Sequence, residues 1–373
     1  MKAVGIILAG GNNKRMKELT AKRAIAAMPI SGTFRAVDFA LSNMSNSNVK
    51  KVAVLTQYNT KSLNEHLSSS KWWNFGRKQG GLFVYHPTIT PDNSNWYRGT
   101  LDAMYQNIHF LKESHEPYVV IASGDGVYKL DFNEVMDYHI QKRADITLVS
   151  TKLRDWEDSS RFGQITTDED GRVTEFAEKP IQEINREANC GIYIIRRRLL
   201  IELLERSAQE DRYDFIRDII IRYLGAKRIY AYHLDSYWSN ISSVRSYYET
   251  NMDFLKKDVR DFFFKGDDAI MAKIDDFPPA KYNFGSHVRN SLVASGSIIN
   301  GTVENSVIFK KSFIGNNCVI RNSIILNDVY IGDNTVIENC IVESHGTIYA
   351  NSCFTGNRDD VRIVVESNNR YTI

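Results

Sequence analysis

Glycines and basic residues follow an apolar run near the start of the sequence. The run is Val4–Leu8, the glycines are Gly10 and Gly11, and the basic residues Lys14 and Arg15 follow three and four residues after Gly11. Glycine lets the backbone approach a phosphate closely, and the cations offer it charge. No G-x-G-x-x-G or G-x-x-x-x-G-K-[ST] pattern is present, so neither a dinucleotide site nor a P-loop is predicted. On these residues alone, a phosphate-binding turn and an ordinary tight turn both stay open.

Asp125 is the second candidate for chemistry. It lies in Ser123-Gly124-Asp125-Gly126, directly after the apolar run Tyr118–Ala122. A carboxylate at the end of a buried strand can hold Mg²⁺, which prefers oxygen ligands and shares them with substrate phosphates. The alternative is an aspartate that only shapes a turn between glycines.

Two further cations stand in short motifs. Lys179 lies in Glu178-Lys179-Pro180, and Arg98 lies in Trp96-Tyr97-Arg98-Gly99-Thr100. Lysine makes a point-charge contact to phosphate, and the proline after it fixes the local backbone. Either cation is equally compatible with an exposed surface charge.

Other catalytic patterns are missing from the sequence. The eight histidines form no H-E-x-x-H spacing, and no G-x-S-x-G motif occurs. A zinc site and a serine nucleophile on a strand-to-helix turn are therefore not predicted.

The elements that must position these residues alternate between strand and helix. Apolar strand candidates are Val4–Leu8, Val52–Leu55, Tyr118–Ala122, Ile146–Ser150 and Ile192–Ile195. Stretches with helical spacing, Thr100–Glu113 and Asn133–Arg143, lie between them. This alternation predicts an α/β fold whose mostly parallel sheet is sandwiched by helices.

A different periodicity begins beyond Pro278-Pro279. From about Ser291 to Ala350, apolar doublets such as Ile298-Ile299, Ile324-Ile325 and Tyr330-Ile331 recur every five to six residues with Gly, Asn or Asp between them. This period predicts a hexapeptide parallel β-helix, and it is too short for ordinary hairpins.

Composition limits the class of protein. The chain has 373 residues, 43% of them hydrophobic and 25% charged, and 47 basic side chains against 45 acidic ones give a net charge of +2. This balance predicts a soluble protein with no general affinity for nucleic acid or membrane. Four cysteines without a C-x-x-C pair, and no apolar run of membrane-spanning length, predict a reduced cytoplasmic protein.

Together these motifs closely resemble the ADP-glucose pyrophosphorylase family, also called glucose-1-phosphate adenylyltransferase. The resemblance covers nearly the whole chain, and the run Asp38–Asn43 is quite specific to this family among sugar nucleotidyltransferases. The residues that carry it are Leu8-Ala9-Gly10-Gly11, Arg15, Leu19-Thr20, Arg23-Ala24, Phe34-Arg35, Asp38–Asn43, Thr56-Gln57-Tyr58, Trp96–Thr100, Gly124-Asp125 and Glu178-Lys179-Pro180.

The resemblance implies a sugar nucleotidyltransferase (Rossmann-like) domain over 1–253, a linker over 254–290 and a left-handed β-helix over 291–373. It also implies a reaction in which glucose 1-phosphate attacks the α-phosphate of ATP, giving ADP-glucose and pyrophosphate for glycogen synthesis. Mg²⁺ is the expected cofactor.

Site residues are carried over position by position. The resemblance implies that Gly10, Gly11 and Arg15 hold the ATP phosphates and that Gly99 and Thr100 face the base. Asp125 would hold the metal and, with Arg15, act in catalysis. The sugar phosphate would lie against Tyr97, Gly163, Glu178 and Lys179.

Departures from the family pattern affect the charged positions. Where active members read Y-W-x-D-V-G, this chain has Tyr237-Trp238-Ser239-Asn240-Ile241-Ser242, so Asn240 replaces the second metal carboxylate. Asn13 replaces a phosphate-loop glycine, Ile25 replaces the lysine of R-A-K-P-A, and Gly126 replaces the histidine of G-D-H. An amide can still contact Mg²⁺ but brings no negative charge, so weak binding is expected.

An intact scaffold with a damaged metal site resembles the GlgD-type subunit that some Gram-positive bacteria make beside a catalytic GlgC-type subunit. We expect a regulatory chain, weakly active or inactive alone, in a homo- or hetero-tetramer, with an effector that the sequence does not identify. Two alternatives are a fully active adenylyltransferase and, more remotely, a hexapeptide acyltransferase whose site lies in the β-helix.

Overall fold

The structure is a computed structural model that describes residues 2–11, 14–76, 80–88, 96–358 and 360–365. Its strands up to residue 240 are, in chain order, β1 (Ala3–Leu8), β2 (Pro29–Ile30), β3 (Phe34–Arg35), β4 (Lys51–Leu55), β5 (Gly81–Tyr85), β6 (Tyr118–Ser123), β7 (Gly126–Tyr128), β8 (Ile146–Lys152), β9 (Gly163–Thr167), β10 (Val173–Glu178), β11 (Glu187–Arg196), β12 (Ile229–His233) and β13 (Trp238–Asn240).

The α-helices of the described residues are α1 (Ala36–Asn46), α2 (Lys61–Leu67), α3 (Thr100–Gln106), α4 (Ile108–Lys112), α5 (Phe132–Gln141), α6 (Arg197–Gln209), α7 (Val244–Asp253) and α8 (Lys257–Phe264). Short 3-10 segments cover Lys14–Thr20, Ile25–Ala27, Ser70–Trp73 and Ser159–Arg161, and Ile216–Ile221 forms a π-helical turn.

Contacts divide the chain into two compact units. The first comprises residues 1–11 and 39–238, and the second comprises 12–38 and 239–373. The segment 12–38 therefore groups with residues 239–373. The sequence analysis instead placed all of residues 1–253 in one domain.

The first unit is built on a nine-stranded sheet of the described residues. Its main order is β10-β9-β11-β6-β1-β4-β5, and β8 pairs with both β11 and β12. Strands β1, β4, β5 and β6 pair in parallel, whereas β11 is antiparallel to β6, β8 and β9. The predicted mostly parallel sheet is confirmed, with β11 and β10 as its reversed strands.

Apolar residues of both faces of this sheet are buried. Val4 and Ile6 of one face are at most 2% exposed and pack in one cluster with Leu200 of α6, and Ile7 of the other face is fully buried. Near-continuous apolar strands of this kind are typical of sheets covered on both faces. The helical stretch predicted over Thr100–Glu113 is broken at Asn107, whose side-chain amide donates to the Ala103 carbonyl and to the Tyr97 hydroxyl.

The later strands form the β-helix of the second unit. They are β14 (Lys281–Tyr282), β15 (His287–Arg289), β16 (Leu292–Val293), β17 (Ile298–Ile299), β18 (Thr302–Glu304), β19 (Val307–Ile308), β20 (Phe313–Ile314), β21 (Val319–Arg321), β22 (Ile324–Ile325), β23 (Tyr330–Ile331), β24 (Val336–Glu338), β25 (Cys340–Val342), β26 (Thr347–Ile348), β27 (Cys353–Thr355) and β28 (Arg362–Val364).

These strands stack into three parallel five-stranded sheets, β14-β17-β20-β23-β26, β15-β18-β21-β24-β27 and β16-β19-β22-β25-β28. This is the stacking of the predicted left-handed hexapeptide β-helix. Ile299, Ile314, Ile320 and Ile331 point into its core and are fully buried. Asparagine at the corners tolerates the left-handed backbone conformation that the turns require.

The segment 254–290, predicted as a linker, contains regular structure. Helix α8 lies in it, and strands β14 and β15 already pair with β17 and β18. These two strands contain polar residues in place of an apolar doublet, so the sequence analysis did not include them in the β-helix. Among the described residues, none of the helices combines the length and apolar character that crossing a bilayer requires.

Candidate functional site

The ends of three neighbouring parallel strands meet in the first unit. The Ala9 amide donates to the Leu55 carbonyl at 2.8 Å, and the Gly124 amide donates to the Leu8 carbonyl at 2.9 Å. The loops that follow β1, β4 and β6 are therefore held side by side. Ligands of open α/β sheets bind at this edge, outside the carboxyl ends of the strands.

A cavity of about 460 Å³ opens at this edge. Its volume falls in the range of small-molecule sites. The lining residues come from the three strand-end loops, the start of α3, strand β11 and the segment before the π-helical turn: Leu8, Gly10, Gly11, Leu55, Gln57, Tyr58, Tyr97, Arg98, Gly99, Thr100, Ala103, Ser123, Gly191, Tyr193, Phe215 and Ile216.

Gly10 and Gly11 leave open space at the cavity. A Cβ on Gly11 would meet no atom of the described residues within 4 Å, and one on Gly10 would lie 3.4 Å from the Gln57 Cβ. Packing therefore does not require glycine at position 11. No atom of the described residues fills the space beside its backbone, which is where the sequence analysis predicts a phosphate.

Gly99 and Thr100 form a wall of the cavity by docking onto the segment around Tyr213. A Cβ on Gly99 would stand 2.3 Å from the Tyr213 carbonyl oxygen, which only glycine permits. The Leu101 amide donates to that same carbonyl at 2.9 Å, and the Thr100 hydroxyl accepts from the Phe215 amide at 3.1 Å. Gly99 and Thr100, which were predicted to bind the nucleotide, therefore line the cavity and also stabilise its wall.

The Arg98 side chain makes its contacts within the protein. Its guanidinium donates to the buried Asp102 carboxylate at 2.9 Å and to the Tyr213 hydroxyl at 2.6 Å, and lies 3.8 Å from the Tyr213 ring centroid. The hydrogen bond to Asp102 raises the pKa of Arg98 above its ordinary value. Arg98 therefore braces the wall, and its charge is already partly balanced.

Tyr97 lies under the same wall. Its amide donates to the Gln57 side-chain oxygen at 2.7 Å, and its hydroxyl accepts from Asn107 at 2.9 Å. Burial raises the pKa of this hydroxyl, so it stays protonated at neutral pH. Tyr97 lines the cavity, and its predicted contact with the sugar phosphate stays a prediction.

Asp125 follows β6 in a turn that is partly buried. One of its carboxylate oxygens accepts from the Ser123 hydroxyl, and among the described residues the other has no hydrogen-bond partner. Asp125 does not line the cavity, whereas its neighbour Ser123 does. Beside it, a Cβ on Gly126 would lie 3.0 Å from the Tyr128 ring, so the position where the family has histidine is closely packed here.

The residues predicted to hold the sugar phosphate form a second group. Gly163 pairs with Glu178 across β9 and β10, and a Cβ there would lie 2.9 Å from a Glu178 carboxylate oxygen. Lys179 has a φ of 50° and its ammonium lies 3.0 Å from Glu178. Its side chain is 63% exposed, so it can reach a ligand. Burial raises the pKa of Tyr193 in the cavity, and the charge of Glu178 raises it further.

Several cavity residues were missed by the sequence analysis. Gly191 has a φ of 72° at an irregular point of β11, where a Cβ would lie 3.3 Å from Ser123. Tyr193, Phe215 and Ile216 complete the apolar wall. A glycine inside a strand pattern was the signal for Gly191. No short motif marks the segment 213–216.

Comparisons with known proteins agree with this geometry. A family model described as "Nucleotidyl transferase" matches residues 4–257, and one described as "GlmU-like, C-terminal hexapeptide" matches residues 278–361. The glucose-1-phosphate adenylyltransferase of Clostridium acetobutylicum is 39% identical over 320 residues, which cover 85% of this chain and 84% of that protein. The chain belongs to the glucose-1-phosphate adenylyltransferase family.

Other members of the family show similar agreement. The protein of Geobacillus stearothermophilus is 36% identical over 86% of this chain and 83% of its own length. That of Thermotoga maritima is 37% identical over 85% of this chain and 76% of its own length. An alignment of about 320 residues in a chain of 373 necessarily includes parts of both family-model matches.

The family-specific run Asp38–Asn43 has a structural role in this chain. Asp38 is fully buried and accepts from the Arg35 amide at 2.8 Å. Asn43 donates to the Tyr128 carbonyl at 3.0 Å and accepts from the Leu130 amide at 3.2 Å. Asn43 thereby fixes the strand that follows the Asp125 turn.

Three predicted positions belong to the second unit. Arg15 is exposed in the first 3-10 segment, and Ile25 is 5% exposed in the second. The Asn240 side-chain oxygen accepts from the Ser242 amide at 3.0 Å. Asn13 lies outside the described residues.

Proposed function

We propose that this chain is a GlgD-type regulatory subunit of a heteromeric glucose-1-phosphate adenylyltransferase, weakly active or inactive alone. Its partner would be a catalytic GlgC-type subunit in a cytoplasmic tetramer. The observation that carries the proposal is the chemistry of Asn240. Its amide oxygen accepts a hydrogen bond from the Ser242 amide and carries no negative charge, and its other terminal group is an NH₂ that cannot ligate a cation.

The family reaction explains why the charge at this position matters. An oxygen of glucose 1-phosphate attacks the α-phosphorus of ATP, a bond to that phosphorus forms, and pyrophosphate leaves. Such transfers depend on positioning and on cancelling negative charge. An aspartate at 240 could accept the same amide hydrogen bond and still bring a charge, whereas asparagine brings none.

The residues present fit one carboxylate contact to Mg²⁺. Asp125 has one carboxylate oxygen without a partner among the described residues, and Mg²⁺ can be bound by a single carboxylate together with substrate phosphates. Bound there, the ion would neutralise phosphate charge. Without a second carboxylate we expect it to be held weakly.

Substrate binding is supported by the features that remain. The cavity beside Gly11 is open, its wall at Gly99 and Thr100 is braced, and Lys179 is exposed next to Glu178. We propose that ATP binds in the cavity and that Glu178 and Lys179 receive the sugar phosphate. The chain would then bind the ligands of the reaction, ATP and glucose 1-phosphate or ADP-glucose, without turning them over efficiently.

Two further positions agree with impaired catalysis. Ile25 is only 5% exposed, so a buried apolar residue stands where the family has a lysine. Gly126 lies against the Tyr128 ring, so the histidine of the family pattern would have no space without rearrangement.

The test is an assay of ADP-glucose formation by the purified chain, by its Asn240→Asp variant and by a mixture with a catalytic subunit. Losing one aimed electrostatic contact costs about 10²–10³ in rate, and we expect the chain alone to be at least that far below the mixture. Asn240→Asp alone should recover little, because Ile25 is unchanged. Asn351→Asp is the matched control, because it adds the same charge at an exposed corner of the β-helix, where an aspartate can still accept the hydrogen bond from Asn334.

Ligand binding separates the possible outcomes. The chain should bind ATP while turning over slowly. A chain that turns over rapidly alone is an ordinary adenylyltransferase, and the proposal fails. A chain that binds neither ATP nor glucose 1-phosphate contradicts the proposed role of the cavity.

A further inference from the structure

The hydroxyl group of Ser123 lies between the cavity of the first unit and the carboxylate of Asp125. Ser123 lines that cavity, whereas Asp125 does not. Both residues are partly buried, and the Ser123 hydroxyl donates a hydrogen bond to one Asp125 carboxylate oxygen. The serine therefore connects the wall of the cavity to the carboxylate that we have proposed as the contact for Mg²⁺.

The backbone of β6 is held on both sides where Ser123 ends the strand. Ser123 pairs with Leu8 of β1, and the next amide, that of Gly124, donates to the Leu8 carbonyl at 2.9 Å. On the other side of β6, Ala122 pairs with Ile192 of β11. Functional groups carried by a paired strand are positioned more precisely than groups on a free loop. The Ser123 side chain therefore starts from a fixed point.

Gly191 fits closely against the same serine. Its φ is 72°, and a Cβ at this position would lie 3.3 Å from the Ser123 Cβ, which is tighter than ordinary van der Waals contact. The Asn189 side-chain oxygen accepts from the Gly191 amide at 3.2 Å and holds the backbone there. Glycine at position 191 therefore provides the space that the serine side chain occupies.

The hydrogen bond to Asp125 uses the only hydrogen that the Ser123 hydroxyl has. The same hydrogen cannot be donated to a phosphate oxygen at the same time, so the serine does not act as a second phosphate donor. The bond occupies one carboxylate oxygen of Asp125, and the other has no hydrogen-bond partner among the described residues. A carboxylate that is bonded in this way keeps one oxygen for a cation.

We propose that Ser123 is a positioning residue for metal binding, an inference that rests on the proposed contact between Asp125 and Mg²⁺. Its hydroxyl holds the carboxylate in one orientation and leaves the second oxygen open. Groups that hydrogen-bond to metal ligands in this way typically contribute about 10–100-fold to metal affinity. The effect of Ser123 on the metal passes through Asp125.

Titration calorimetry of the full chain with ATP, once with Mg²⁺ and once with EDTA, tests this inference. The ratio of the two affinities measures what the metal contributes to binding. We expect Ser123→Ala to lower this ratio by about tenfold, the lower end of the usual range, because Asp125 provides a single carboxylate. The affinity for ATP in EDTA should stay unchanged, because the serine already donates its hydrogen to Asp125.

Two further variants separate positioning from a general structural role. In an Asp125→Asn background, Ser123→Ala should lower the ratio no further, as expected when one residue acts through the other. Ser123→Thr keeps a hydroxyl and should retain most of the ratio.

Ser160→Ala is the matched control, because the Ser160 hydroxyl also donates to an aspartate two residues away, Asp158, at 2.6 Å, in an exposed turn. The ratio for this variant should equal that of the unmodified chain.

An unchanged ratio in Ser123→Ala would overturn the inference. Equal loss of ATP affinity with Mg²⁺ and with EDTA would also overturn it, because the serine would then act on the nucleotide directly. A ratio of one in the unmodified chain would overturn both the inference and the proposed metal contact of Asp125. Rapid turnover by the chain alone, by contrast, would contradict only the regulatory role.

Discussion

The two units of the chain differ at the positions where the family resemblance implies contacts with ligands. In the first unit, Gly11, Gly99 and Thr100 line an open and braced cavity. In the second unit, Ile25 is buried and the Asn240 side chain accepts a hydrogen bond from its own turn. Under the proposed regulatory role, the chain keeps the backbone shape of a binding cavity and lacks charges that catalysis would need.

Gly126 is the exception in the first unit, because it departs from the family pattern at a tightly packed position. Its effect is local, since the strand after it is still fixed by Asn43. The contrast is therefore between the shape of the binding cavity and the charges of the proposed catalytic site. It is not a complete division between the two units.

The largest effect is expected from Gly99→Ala. The new Cβ would stand 2.3 Å from a backbone carbonyl, so the wall must separate. We expect a loss of about 3 kcal/mol in the free energy of unfolding and loss of ATP binding. Denaturant unfolding and calorimetry measure both.

Gly11→Ala is the matched control for stability, because its Cβ would meet no described atom within 4 Å. It should unfold like the unmodified chain yet bind ATP more weakly. Equal stability of the two alanine variants would show that the wall does not depend on Gly99.

In the second unit, the next largest effect is expected from the ion pair between Arg23 and Glu343. Each side chain is only 15% exposed. Arg23→Met leaves the Glu343 carboxylate without this partner and should cost about 2 kcal/mol of stability in urea unfolding.

The double variant Arg23→Met with Glu343→Leu should regain most of that loss, because it removes both charges. A double variant as unstable as the single one would show that packing, and not charge, holds the segment 14–38 in its unit.

Acid should weaken the first unit through His139. Its ring is buried and bonds to the Thr147 hydroxyl at 2.8 Å, and burial lowers its pKa to about 4. Since the unfolded chain binds this proton near pH 6.5, stability should be full above pH 6.5 and fall as the pH approaches 4, by about 1–2 kcal/mol at pH 5.

His139→Asn keeps a partner for the hydroxyl and removes the titration. Its unfolding free energy should change less between pH 7 and 5 than that of the unmodified chain. Parallel pH curves for the two proteins would exclude His139 as the cause.

The smallest effect is expected from Arg98→Lys. A lysine can keep an ion pair with Asp102 but loses the stacked guanidinium and the second donor to Tyr213. We expect under about 1 kcal/mol of lost stability and a few-fold weaker binding of ATP. Unchanged stability with strongly weakened ATP binding would instead indicate a direct contact of Arg98 with phosphate.

The strands that carry the site were predictable because each contains a continuous apolar run, and glycines follow the runs of β1 and β6. It predicted the β-helix because its period repeats. It did not reveal the reversed strand β11, since an apolar run looks the same in either direction. Gly191 and the segment at Tyr213 were missed because their roles come from contacts between parts of the chain far apart in sequence.

The charge of a candidate site residue was predictable wherever the residue type alone determines it. Asn240 differs from aspartate in charge whatever the fold, and the structure adds that its oxygen is bonded to the Ser242 amide. Arg98 shows the limit of such reasoning. Its type suggested phosphate binding, yet Asp102 and Tyr213 already surround its guanidinium.

The most direct test of the regulatory role is the rate of ADP-glucose formation by the purified chain with ATP, glucose 1-phosphate and Mg²⁺, alone and mixed with a catalytic subunit. We predict that the chain alone is at least about 10²-fold slower than the mixture and that mixing changes the partner's rate or its response to effectors. Turnover by the chain alone on the order of 1–10³ s⁻¹, typical of ordinary enzymes, would contradict this.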